Sequence, residues 1–170
     1  MTRIPEIALK EELPKDQQNI FDEIFASRGK VVGPFTFLLH SPEIARRIAH
    51  LGHYLRFDTN LSQLERELAI CATAREHNCE KEYRGHSKRL RDAGAREEAM
   101  EVIDKKVGLD RLTPEEALIV GFAWELARDG RVSDATFEAA KARYGNKGVI
   151  ELSALIGYYT MLAVIFGTSM

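Results

Sequence analysis

The chain has 170 residues, of which 45% are hydrophobic and 29% are charged, and its formal net charge at pH 7 is −2. This length and composition predict one globular domain with a sizeable core and exclude an intrinsically disordered chain. The balance of charge argues against a nucleic-acid-binding protein, because binding to phosphates needs clustered positive charge.

The first half of the chain carries helical periodicity and helix start residues, and runs that alternate at period two are hard to find. A first helix is predicted over about 15–26. Ser41, which a proline follows, is an N-cap residue and predicts a helix over about 42–56. Ser62 and Glu65 form the capping-box pattern that opens the next helix.

The second half continues in the same way. A helix is predicted over about 79–94, where a glycine ends it, and a short amphipathic helix over about 95–105. Thr113 and Glu116 form a second capping box, and Gly130 closes the helix that they open.

The last part of the chain predicts two more helices. Ser133 caps the first, which ends at Gly145, and an apolar helix runs from Val149 to the end. This last helix is apolar around most of its circumference, so we expect either the other helices or a partner subunit to cover it. The chain as a whole predicts an all-α, single-domain bundle of about seven or eight helices.

Two features predict the compartment. Cys71 and Cys79 are too few for a secreted disulfide framework, and the N-terminal residues MTRIPEIALKEEL lack the apolar core of a secretion signal. The most apolar run, 152–167, is shorter than the roughly 18 to 20 residues that span a bilayer. We therefore expect a cytoplasmic protein without a membrane-bound segment.

One segment combines residues that can do chemistry. Cys79, Glu82 and His86 are spaced i, i+3 and i+7, which places them on one stripe of a helix, and Glu67 comes from the preceding helix. A carboxylate, a thiol, a second carboxylate and an imidazole could form a proton-transfer site, half of a redox site or a poor metal site. Two non-catalytic interpretations are also open: Glu82 and His86 could be a surface pair, and Glu67 could be a solvated residue paired with a neighbouring arginine.

Proton transfer suits these residues on chemical grounds. Loss of CO2 from an activated acid leaves electron density that a positioned acid must protonate at carbon. His86 is the candidate proton donor, with Glu67 or Glu82 holding its tautomer. Enolisation, isomerisation, lactone opening and decarboxylation all fit, and none needs a cofactor. A metal site is disfavoured, because the set mixes hard oxygen and soft sulfur ligands with a single imidazole.

The run LERELAICATAREHNCEKEYRGHSKRLRDAG resembles the core motif of the carboxymuconolactone decarboxylase family, which is related to the alkylhydroperoxidase D proteins. The resemblance extends into flanking runs and covers most of residues 33–166. It implies an alkylhydroperoxidase D-like helical domain over 33–170, with 1–32 as a helical extension packed on it. It also implies a homo-oligomer, a trimer or hexamer or else a dimer, and a carboxy-lyase that acts on a small carboxylated substrate.

The resemblance implies roles for individual residues. Glu67, Cys79 and His86 match the alkylhydroperoxidase pattern of a glutamate, eleven residues, CxxC, three residues and a histidine, but Glu82 replaces the second cysteine. This departure favours His86, Glu67 and Glu82 as catalytic residues, with Tyr83 and Cys79 binding substrate. The alternatives are a thiol peroxidase that uses Cys79 and a non-catalytic binding or assembly protein on the same fold.

Overall fold

The computed structural model describes residues 2–170, and in this part of the chain the regular structure is helical, without a strand. Eight α-helices follow one another along the chain: α1 Gln18–Arg28, α2 Pro34–Leu38, α3 Pro42–Phe57, α4 Gln63–Glu76, α5 Glu80–Asp92, α6 Glu97–Lys105, α7 Pro114–Asp129 and α8 Asp134–Ser169. The predicted all-α fold is confirmed.

Predicted capping boxes fix the start of α4, which carries Glu67, and of α7. At α4 the Ser62 hydroxyl accepts a hydrogen bond from the Glu65 N–H, and the Glu65 carboxylate accepts one from the Ser62 N–H. Thr113 opens α7 through the same reciprocal pair. The start of α4 therefore follows from local sequence. Cys79 is the N-cap residue of α5 but makes no side-chain cap hydrogen bond.

One element differs from the prediction. Helix α2 was not predicted, and all five of its residues are buried, so it has no polar face to give a helical period. The break predicted at Gly145 is confirmed: α8 consists of two helical parts that meet at a kink at this glycine. Within it, Gly145 alone departs from helical geometry, with φ 64° and ψ 179°.

The helices group into two compact units. Unit 1 holds residues 2–58 and 164–170, and in it α1 packs against α3 with Ile20 and Ile24 buried. The predicted boundary between an extension, 1–32, and a domain, 33–170, stays a prediction.

Unit 2 holds residues 59–163, and α4 is its central helix. Helix α4 packs against α5, α6 and α7, and every residue from Glu67 to Ala74 is buried. Leu152, Leu155 and Ile156 of α8 are also fully buried. The candidate catalytic residues lie in this unit.

Helix α8 is long and apolar enough to cross a membrane by length and composition alone. More than half of its most apolar stretch is buried inside the protein, and the core helix of a soluble protein meets the same criteria. The cytoplasmic location stays a prediction.

Candidate active site

Helix α5 presents one narrow buried face, and two of the candidate residues lie on it. The buried residues of α5 are Glu82, His86 and Leu90, which recur at intervals of four. Glu67 lies at the start of the buried stretch of α4, the helix against which α5 packs. The packing of these two helices thus brings residues from both into one cluster.

His86 lies between the two carboxylates. Its Nδ1 is 2.7 Å from Glu67 Oε2, so the imidazole and the carboxyl group share a hydrogen bond. Its Nε2 is 3.6 Å from Glu82 Oε2, slightly beyond hydrogen-bonding distance. The two ring nitrogens therefore differ: Nδ1 is engaged by Glu67, whereas Nε2 faces Glu82 across a gap.

All three side chains are nearly enclosed. The exposed fraction is 9% for His86, 8% for Glu67 and 7% for Glu82. The two non-catalytic interpretations are therefore wrong: Glu82 and His86 are not a surface pair, and Glu67 is not solvated. In so enclosed a site, charges interact more strongly than they do in water.

Both cysteines are free, and their surroundings favour the neutral thiol. Burial raises the pKa of Cys71, and the carboxylates of Glu67 and Glu82 raise it further. Burial also raises the pKa of Cys79, against the lowering effect of the nearby N–H groups of Glu82 and Lys81. The thiolate that a peroxidase would need is thus disfavoured at both positions.

Tyr83 is half-buried on α5 and packs with Arg75, whose guanidinium carbon lies 4.7 Å from the centre of the tyrosine ring. Burial, followed by the carboxylate of Asp104, raises the pKa of Tyr83 to about 12. The hydroxyl is therefore protonated at neutral pH. The substrate-binding roles of Tyr83 and Cys79 stay predictions.

Sequence reasoning missed the aromatic neighbour of His86. The ring of Tyr159, on α8, lies edge-to-face against the imidazole, with centroids 5.0 Å apart and an interplanar angle of 83°. Nothing in the apolar run around Tyr159 distinguishes it from its neighbours, so only the fold reveals the contact.

The cluster has the parts of an acid–base site: an imidazole, a carboxylate that orients it, and a second carboxylate on the opposite side. Among residues 2–170, no group of three or more histidine, cysteine, aspartate or glutamate side chains is arranged to hold a metal ion.

Comparison with known proteins places the cluster within a recognised segment. No curated protein matches the chain. A family model matches residues 42–107, a shorter span than the resemblance predicted, and this span includes Glu67, Glu82 and His86 but not Tyr159. The matching model is that of the carboxymuconolactone decarboxylase family, so the family predicted from the sequence is confirmed over residues 42–107.

Proposed function

We propose that this protein is an acid–base enzyme that catalyses decarboxylation, or a related proton transfer or lactone reaction, on a small carboxylated substrate. The observation that carries the proposal is the position of His86 between the carboxylates of Glu67 and Glu82. The substrate class rests on the resemblance to the carboxymuconolactone decarboxylase family.

The two nitrogens of His86 would have separate tasks. Glu67 holds Nδ1, so Nε2 is the atom that exchanges a proton with the substrate. In a decarboxylation, the bond between the carboxylate carbon and its neighbour breaks, CO2 leaves, and the electron pair passes into an adjacent carbonyl or alkene. The protonated Nε2 then gives its proton to carbon, and a solvent proton restores the imidazolium with Glu82 at its side.

The thiol mechanism has less support. A disulfide-cycling peroxidase needs a thiolate and a nearby resolving thiol, whereas burial raises the pKa of Cys79 and Glu82 stands in the position of the second cysteine. Cys71 is fully buried, and its pKa is also raised.

A panel of small lactones and β-keto acids tests the proposal, with CO2 release and incorporation of solvent deuterium as readouts. We expect turnover by the wild type and a loss of roughly 10²-fold or more in His86→Gln, the range that general acid–base catalysis supplies. Cys79→Ser tests the thiol alternative: kcat should be retained, whereas a change in KM would reflect the predicted substrate-binding role of Cys79.

Two results would contradict this function. Activity retained in His86→Gln but lost in Cys79→Ser would point to thiol chemistry. No turnover of any panel member by the wild type would point to a binding or assembly protein.

A further inference from the structure

Tyr159 lies directly against the candidate proton donor. It is only 3% exposed, and its ring stands nearly perpendicular to that of His86. Edge-to-face packing favours one relative orientation of the two rings.

Neighbouring contacts hold Tyr159 in place. The ring of Tyr158 lies edge-on to it at a centroid distance of 5.3 Å. The next residue in the chain, Thr160, forms a hydrogen bond of 3.0 Å between its Oγ1 and His77 Nε2. His77 is the C-cap residue of α4, the helix that carries Glu67. The position of Tyr159 is thus tied to the helix of the orienting carboxylate.

A hydrogen bond to Nδ1 alone does not fix an imidazole. The ring can still tilt about that bond, and a tilt moves Nε2 away from the atom with which it must exchange a proton. The nearly perpendicular ring of Tyr159 blocks this tilt, because a tilted imidazole would collide with the tyrosine ring.

We propose that Tyr159 is a positioning residue that fixes the ring plane of His86, so that Nδ1 stays on Glu67 and Nε2 faces Glu82. The catalytic consequence rests on the proposed acid–base function, whereas the positioning itself does not. Tyr159 lies outside residues 42–107, so a wall of the site comes from a part of the chain that the family model does not match.

The test compares Tyr159→Leu, which removes the ring, with Tyr159→Phe, which keeps it. NMR of protein labelled with ¹⁵N-histidine shows whether the His86 ring holds one orientation or exchanges between several. The His86→Gln variant identifies the His86 resonances. We expect one sharp set of His86 ring resonances in the wild type and in Tyr159→Phe, and broadened or doubled resonances in Tyr159→Leu, because its imidazole can tilt between orientations. In the activity assay, Tyr159→Leu should lower kcat by roughly tenfold and leave KM within about twofold of the wild-type value. For Tyr159→Phe, both kcat and KM should stay within about twofold of the wild type.

The two readouts separate the two proposals. A folded Tyr159→Leu protein whose His86 keeps one sharp set of ring resonances overturns the positioning role, whether or not the wild type is active. Broadened or doubled His86 resonances in Tyr159→Leu, beside a wild type that turns over no panel member, support positioning and overturn the proposed function. Should Tyr159→Leu fail to fold, Tyr159→Met replaces it, because methionine adapts to irregular gaps in a core, and the same outcomes apply.

Discussion

Glu67 Oε2 lies 2.7 Å from His86 Nδ1, although 19 residues separate the two and they belong to different helices. Both side chains are more than nine-tenths buried. A buried pair of this kind contributes little net stability, because the loss of hydration offsets most of the attraction, and well-packed apolar residues often serve the fold as well. Stability alone therefore does not account for the pair, which fits the proposed acid–base function.

The first prediction concerns the Glu67 carboxylate. Glu67→Gln keeps an acceptor for Nδ1–H but removes the negative charge that stabilises the imidazolium, so we expect kcat to fall by roughly 10- to 100-fold in the panel assay. Glu80→Gln, which removes an exposed carboxylate from the first turn of α5, is the control and should leave kcat unchanged. Full activity in Glu67→Gln beside an inactive His86→Gln would show that Glu67 has no part in catalysis.

The second prediction concerns Cys79. Because burial raises the pKa of Cys79, its thiolate fraction at pH 7 is smaller than that of a free cysteine, and it is still increasing when the pH passes the ordinary thiol pKa of about 8.5. Alkylation by iodoacetamide, followed at Cys79 by peptide mapping, should be slower than that of free cysteine at pH 7 and should still be increasing at pH 9. A rate that reaches its plateau below pH 8 would indicate a reactive thiolate and revive the peroxidase alternative.

Local sequence predicted the parts of the fold that local chemistry controls. The capping boxes at Ser62 and Thr113 set the start of α4 and α7, and spacing alone placed Glu82 and His86 on one face of α5. The meeting of Glu67 with His86 needed one further assumption, namely that two consecutive helices pack against each other.

The features that the sequence did not predict depend on tertiary packing. Tyr159 belongs to a helix that is apolar on almost every side, so hydrophobic periodicity could not show which residue faces the site. Helix α2 was missed for a similar reason, because all of its residues are buried and none marks a solvent-facing side. Such contacts follow from which helices are neighbours, and a single sequence does not carry that information directly.

The third prediction is that copies of the chain associate through α8. Ile150, Ala154 and Gly157 are exposed and Met161 is partly exposed, at intervals of four, three and four residues, which makes one uncharged stripe along the helix. The small residues lie in the middle and the large ones at the ends, so two antiparallel copies could approach closely at the centre and pack their long side chains on either side. Ile150 alone leaves 68% of its surface exposed.

Light scattering coupled to size-exclusion chromatography measures this association. We expect an oligomer for the wild type and a shift towards monomer for Ile150→Lys, because a charge at this position must be desolvated on association. Ala139→Lys places the same charge at another exposed position of α8 and should leave the mass unchanged. A wild-type protein that is monomeric at every concentration would contradict the prediction.

The last prediction concerns the break in α8. The backbone of Gly145, at φ 64° and ψ 179°, lies in a region that is essentially restricted to glycine. A Cβ at this position would meet no atom within 4 Å, so the cost of a side chain comes from the backbone and not from a clash. Gly145→Ala should therefore lower the free energy of unfolding by about 1 to 3 kcal/mol in urea titrations.

Gly85→Ala is the matched control: its Cβ also meets no atom within 4 Å, but its backbone is helical, so alanine should raise the free energy of unfolding by about 0.5 to 1 kcal/mol. Equal stabilisation by both substitutions would mean that α8 runs through residue 145 as a regular helix. Because the residues that follow the break include Tyr159, a regular helix there would also change which side chain of α8 faces His86.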